Sequence, residues 1–230
     1  MTVKQYAFIR RRPEMTHAQF DAYWHHPHGD PISLRLQTLK HYIHTTPIQG
    51  DLGLDAAITD WDGVVELWYE SWEAADRLVD DPAMPQAFAD QPNFTIQDAM
   101  RVVSVDEQAV TGDAGPGDRM DRHLPGVKLL HLVRRAPGLS GARFRAAWAG
   151  ADDDEFGAAL GAIRHVRCPA AYRDGEEPEF DGIRELWFAG LDAVRRARSE
   201  RREEWRRLFE RAEVDATGSE FAVATQRRLR

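Results

Sequence analysis

Hydrophobic positions along this chain recur with two periods, and the switches between them mark the elements. From Val3 to Arg10, Tyr6 and Phe8 alternate with polar positions, the two-residue period of a strand. Thr16 then opens a helix, with Gln19 three residues on as in a capping box. Phe20, Tyr23 and Trp24 follow at helical spacing and form one apolar face. Pro27 and Pro31 break the segment after it. Leu39 to Thr45 and Gly63 to Tyr69 read as strands. Ser71 starts a helix through about Val79, which Asp80-Asp81-Pro82 stops. A short helical piece covers Met84 to Asp90, and Met100 to Val105 is the last strand of this stretch.

The chain then repeats itself. Arg10-Arg11-Arg12-Pro13 with Phe20 and Trp24 is echoed by Arg134-Arg135-Ala136-Pro137 with Phe144 and Trp148, at an offset of 124 that also relates His41 to His165. Trp61-Asp62-Gly63 through Glu66-Leu67-Trp68 is echoed by Phe180-Asp181-Gly182 through Glu185-Leu186-Trp187, at an offset of 119. In the second stretch Val127 to Arg134, Ile163 to Cys168, Ile183 to Phe188 and Phe221 to Thr225 read as strands, Ser140 to Ala149 as a helix, and Leu191 to Ala212 as one long, densely charged helix. Mixed signs at helical spacing on that helix mean a solvated face. Strand, helix, strand, strand, helix, strand is the ferredoxin-like order. The chain is therefore expected to be α+β: two tandem ferredoxin-like repeats, residues 1–110 and 124–230, joined by a Gly-, Pro- and Asp-rich linker over 111–123. Their antiparallel sheets would pack face to face within one chain and leave a ligand cavity between them.

Composition narrows the function classes. A net charge of -8 argues against nucleic acid, whose phosphates need a basic surplus. No apolar run approaches the roughly 20 residues of a membrane span, and no apolar leader segment opens the chain. The single Cys168 excludes an internal disulfide and fits a reducing compartment, so the expected setting is cytoplasmic. Neither a dinucleotide-binding glycine motif nor a phosphate loop is present.

Arg11 to Pro13 closing a strand, Phe20 and Trp24 on a helix, His28 shortly after, and a strand from Leu39 to Tyr42 together resemble the EthD family of dimeric α+β barrel proteins. The second stretch keeps the scaffold residues but has Asp152 where His28 would fall, as in a tandem protein with one complete and one degenerate copy. The resemblance implies two ferredoxin-like units paired through their sheets. It also implies cofactor-independent chemistry on cyclic, aromatic or polyketide-like substrates, as in methylmuconolactone isomerases, polyketide cyclases and anthrone dehydratases.

His28 is the leading candidate for a catalytic group, because an imidazole near neutral pKa both takes and gives protons. The alternative for it is a histidine stabilising a helix C-terminus. His25 and His26 sit in the same segment about 100° apart, so one of them points to solvent. Tyr42 and His44 share one strand face and His41 takes the other. The resemblance places Tyr42 in the pocket, where its hydroxyl would stabilise an enolate and His44 would assist proton transfer. Tyr6, Phe8, Trp68 and Glu66 are the expected substrate-binding residues, although each is also an ordinary core candidate. Glu66 has a counterpart in Glu185, and a buried carboxyl there would have a raised pKa.

The expected function is a lyase, cyclase or isomerase without cofactor or metal, acting on a small hydrophobic cyclic, aromatic or polyketide-derived substrate through His28, Tyr42 and His44. Two other readings stand beside it: a non-catalytic protein that binds a small hydrophobic ligand, and a haem- or metal-dependent oxygenase built on the histidines. No nucleic-acid or membrane partner is expected, and the chain would be a monomer or a homodimer.

Overall fold

The computed structural model describes residues 2–54, 58–111, 126–149, 155–173 and 177–230. The first half supplies strands β1 (Thr2–Ile9), β2 (His41–Pro47), β3 (Gly63–Tyr69) and β4 (Arg101–Thr111). The second supplies β5 (Val127–Val133), β6 (Arg164–Pro169), β7 (Gly182–Phe188) and β8 (Glu220–Arg228). All pairings are antiparallel, and the strands close into one barrel in the order β1-β3-β2-β8-β5-β7-β6-β4. Each half thus presents its strands in the order fourth, first, third, second. The two halves meet edge to edge, β2 on β8 and β4 on β6.

The barrel expected from the resemblance is present, and the two sheets are joined at both edges as well as packed through their inward faces. An open sheet leaves a row of unpaired backbone groups at each edge, and joining the edges satisfies both rows at once. The inward faces then fill the barrel. Tyr6, Phe8, Val64, Val103, Leu130, Leu132, Val166 and Ile183 form one buried cluster there. Helices cover much of the outward face. In the first half these are α1 (His17–Tyr23), α2 (Trp72–Asp76) and α3 (Met84–Asp90), and in the second α4 (Gly141–Ala149), α5 (Phe156–Ala159), α6 (Leu191–Glu200) and α7 (Arg202–Arg206). None of the helices in the described residues is long and apolar enough to cross a membrane. The expected linker lies almost wholly outside the described residues, as does Asp152.

Local chemistry explains most element boundaries. Thr16 caps α1 by accepting from the Gln19 amide at 3.2 Å, while the Gln19 side chain accepts from the Thr16 amide at 2.8 Å. Ser71 caps α2 the same way through Ala74 N at 3.2 Å. The long charged helix expected over Leu191 to Ala212 is instead two helices, broken at Arg201 (φ −120°, ψ 52°). The Arg201 guanidinium donates to the carbonyl oxygens of Ala158 and Ala159 at 3.3 and 2.6 Å, which satisfies the end of α5. Sequence repeats at the strand ends also acquire a cause. The Arg11 amide and guanidinium both bond Asp62, at 2.9 and 2.8 Å, and Arg135 bonds Asp181 in the same way at 2.8 and 2.6 Å.

Glycine is required next to these pins. A Cβ on Gly63 would meet the Trp24 ring at 2.7 Å, and one on Gly182 would fall inside the Trp148 indole. Overpacking of this kind costs about 1–3 kcal/mol and occasionally more. Gly182→Ala is therefore expected to destabilise the fold more than Gly63→Ala, which urea denaturation of the two variants measures. Equal midpoints would refute the difference in packing.

Register corrects one sequence pairing. His41 lies opposite Trp68 on β3, whereas His165 lies opposite Leu186, the counterpart of Leu67. The structural counterpart of His165 is therefore Tyr42, and that of His41 is Arg164. A single-residue slip moves a side chain to the other sheet face. His165 accordingly points outward under the helices and His41 toward the barrel.

The barrel interior also holds charge. Lys4 lies 2.8 Å from both Glu66 and Glu185, and Lys128 lies 2.9 Å from Glu185 and pairs with Glu66 as well. Trp68 donates to Glu107 at 2.9 Å, and its counterpart Trp187 donates to Gln226 at 3.0 Å. Burial opposes charge on Glu185, but the two ammonium groups overcome it and hold the carboxyl well below the usual range. Burial holds the Glu107 carboxyl above its usual range, against the pull of Lys4.

Candidate functional site

The cavity that holds His28 lies outside the barrel, between the outer face of the first half's sheet and its helices. It measures about 180 Å³ and is walled by Ala7 and Ile9 of β1, Val65 and Leu67 of β3, Met84 and Ala87 of α3, and Trp24 and Phe94. The walls are apolar because β1 and β3 bury both faces: the odd residues of β1 (Val3 to Ile9) turn outward while Lys4, Tyr6 and Phe8 turn in. Tyr6, Phe8, Trp68 and Glu66 thus stand in the barrel interior, apart from this cavity. The sequence placed them against a ligand; the structure packs them in the barrel core and not on the wall of this cavity. Tyr6 donates to Glu185 at 2.7 Å, the Lys4 ammonium sits 4.1 Å from the Trp68 ring centroid, and Glu66 belongs to the lysine–glutamate network.

His28 and Tyr42 do share the cavity wall. His28 sits in the irregular helical stretch Trp24–Ile32 that continues α1, interrupted at His26 (φ −144°, ψ 120°). That interruption turns the ring back over Phe94, with centroids 4.6 Å apart. The imidazole Nδ1 lies 2.9 Å from the Asp90 carboxylate at the end of α3. Asp90 also accepts from the Tyr23 hydroxyl and from the Asn93 amide, each at 2.9 Å. Burial works against the Asp90 charge, and the hydrogen bonds from Asn93, His28 and Tyr23 outweigh it, so the carboxyl titrates below its usual value and is ionised at neutral pH. An ionised acceptor on Nδ1 keeps the proton there and leaves Nε2 as the basic nitrogen. Burial lowers the His28 pKa, only partly offset by Asp90, so the ring is a free base at neutral pH.

His44 lies behind Tyr42 rather than on the cavity wall. Its Nε2 is 2.9 Å from the Tyr42 hydroxyl, and its ring stacks on Trp24 at 3.8 Å between centroids. Burial, then the neighbouring His28, His25 and Arg227, push its pKa far down, so it is neutral. Burial raises the Tyr42 hydroxyl to about 12, so it stays protonated. His26 is exposed and His25 half-buried, with Nε2 4.0 Å from Asp30. Asp90, Tyr23 and Asn93 were not singled out from the sequence. Asp90 ends a short helix 62 positions from His28, and no local pattern joins the two.

Neither candidate place for a metal fits one. The cavity wall offers His28 as its sole histidine and no Cys, Asp or Glu, whereas zinc needs three or four ligands. Among the described residues the only clustered ligand set is Glu107, Cys168 and Glu185, inside the barrel. Lys4 lies 3.5 Å from Glu107 and 2.8 Å from Glu185 there, so an ammonium already holds the cation position. Burial also pushes the Cys168 thiol well above its usual pKa and keeps it from being a thiolate ligand.

Buried neutral histidines make stability pH-dependent. His28, His44 and His131 are all held below the ordinary value of 6.5, by burial first in each case. Unfolded, each binds a proton as pH falls through about 6.5; folded, it does so only lower. Stability is therefore full above that value and is lost as pH falls toward the folded values, by up to about 1.4 kcal/mol per pH unit per histidine. Glu107, held up by burial, runs the opposite way, but it is one group against three. The urea midpoint should drop between pH 6.5 and 5, and less steeply in His131→Phe. A flat profile would mean that these rings already reach solvent.

A family model for the EthD domain matches residues 12–98. No curated protein matches the sequence. Among solved structures, an anthrone oxidase-like protein is 13% identical, with a TM-score of 0.54 over 99% of this chain and 93% of the other. A protein described as a monooxygenase, from Fusobacterium nucleatum, is 9% identical, with a TM-score of 0.51 over 100% and 92%. A chlorite dismutase variant from Candidatus Nitrospira defluvii is 5% identical, with a TM-score of 0.52 over 99% and 92%. At these identities the likeness is one of fold. The match over 12–98 spans α1, His28, Tyr42, the β3 wall and Asp90, so this segment is similar to the EthD domain and is carried on an eight-stranded α+β barrel.

Proposed function

We propose that the chain is a small-molecule enzyme of the lyase, cyclase or isomerase type that moves a proton on a cyclic or aromatic substrate without a cofactor. The observation that carries this reading is the His28–Asp90 pair on the wall of an apolar cavity. Nε2 of His28 takes a proton from carbon next to a carbonyl, and the electron pair of that C–H bond moves onto the carbonyl oxygen as an enolate. Asp90 holds the ring in place and stabilises the imidazolium as it forms. With His44 donating from Nε2 to the Tyr42 oxygen, the Tyr42 hydroxyl is free to donate to the enolate oxygen. His28 then returns the proton to a different atom or to a leaving hydroxyl, which distinguishes isomerisation from dehydration. In the same reading the chain is a tandem of two ferredoxin-like repeats, 1–110 and 124–230, with the reactive imidazole in the first.

Proton abstraction leaves a mark even with a substrate that goes no further. Neutral single-ring ketones such as cyclohexanone, incubated with the protein in deuterium oxide, should exchange their α-protons faster than in buffer, as followed by proton NMR. Tight binding of such ketones with exchange at the buffer rate would instead favour a protein that only binds its ligand.

A further inference from the structure

We infer that the site takes an uncharged ring compound with one hydrogen-bonding group and an apolar substituent, and rejects analogues carrying a carboxylate on the ring. This deepens the reading above, since it concerns the same cavity, but it rests on the walls rather than on the proton chemistry. No lysine, arginine, aspartate or glutamate lines the cavity. Its polar lining is His28, Tyr42 and Ser33, together with Gln91 and Thr95, of which Thr95 donates to the Gln91 carbonyl oxygen at 3.0 Å; the ligand's polar group is placed at His28 and Tyr42. The Gln5 amide is already committed to Ser104 at 3.1 Å and to Tyr69 at 2.9 Å.

A ring carboxylate would find no cation there. Asp90, 2.9 Å from His28 Nδ1, carries a negative charge behind that wall. Arg101 at the edge of the site donates to the carbonyl oxygens of Asp98 and Met100, both at 2.9 Å, and lies 3.8 Å from Glu179. Burying an unpaired carboxylate is costly, so an acid would have to be protonated to enter.

The size and mouth of the cavity define the rest. A dry apolar cavity of about 150 Å³ holds benzene, so about 180 Å³ accepts one ring with little more. At the mouth, Phe88 and Val102 are 42% and 48% exposed. A substituent leaving the ring covers them, and each buried methylene contributes about 0.8 kcal/mol.

Isothermal titration at pH 7.5 with four probes tests this. 2-Hydroxyacetophenone should bind at least about 50-fold more tightly than salicylate, its anionic analogue of similar shape. 4-Propylphenol should bind about 10-fold more tightly than phenol, since its chain is only partly covered at the rim. Val102→Lys, at an exposed position, should narrow the salicylate gap by adding a cation at the mouth. Salicylate binding as well as the ketone, or no binding by any of the four, overturns the inference. A retained neutral preference with no ketone exchange overturns the proton-transfer reading and leaves the ligand class standing.

Discussion

His28→Ala is expected to abolish the accelerated α-proton exchange, a fall of about 10²–10⁴-fold, because a positioned general base supplies a factor of that order. Ligand binding should survive, since most of the cavity lining is apolar, with Ala7, Val65, Leu67, Met84 and Phe94 among it. Asp90→Asn separates positioning from chemistry. The ring remains, but its acceptor is neutral and the Nδ1 proton is no longer fixed, so exchange should fall by on the order of 10²-fold. Asp90 raises the His28 pKa against the larger effect of burial. Removing its charge should therefore move the acid limb of the pH–rate profile to lower pH. A merely structural aspartate would leave that limb in place while lowering stability, and an unmoved limb would refute the pairing as a catalytic device.

Lys4→Met should produce the largest loss of stability. It deletes the ammonium that lies 2.8 Å from each of two carboxylates with no exposure to water. Leaving such charges buried and unpaired costs about 3–5 kcal/mol. Lys4→Met combined with Glu185→Gln should recover part of that loss, because the orphaned charge goes with it. Urea unfolding of the single and double variants, read as a cycle, measures the coupling. A single-variant cost below about 1 kcal/mol would show that the remaining Lys128 is enough to satisfy both glutamates. Replacing all four charged residues with apolar ones of similar volume is expected to be far milder than replacing one.

Much of the backbone was legible in the sequence. The capping pattern at Thr16, the strand from Gly63 to Tyr69 and the short helix from Met84 to Asp90 all appear where local chemistry placed them. What period-two alternation does not reveal is which covering each strand face receives. β1 is buried on both sides, by the barrel on one and by helices on the other. Alternation marks Tyr6 and Phe8 as one aromatic face without choosing between ligand wall and core; that face fills the barrel, while the blander face with Ala7 and Ile9 lines the cavity. The His41–His165 match failed because strand register is set by pairing, and an offset read across a loop is free to slip by one. The continuous charge pattern after Leu191 hid a break, because its cause is a contact from Arg201 to a different helix. Asp90 went unnoticed for the same kind of reason: its meaning comes from His28 across the fold.

The two outer faces of the barrel have parted company at matching positions. Where the first half has Ala7, Tyr42 and Val65, the second has His131, His165 and Arg184. A barrel assembled from two identical chains repeats every substitution on both sides, so a reactive pocket cannot be kept on one flank while the other is rebuilt. Joining the flanks in one polypeptide removes that constraint. Each side is then free to change by itself, so that a substitution on one flank answers only to that flank's own packing and to the stability of the whole.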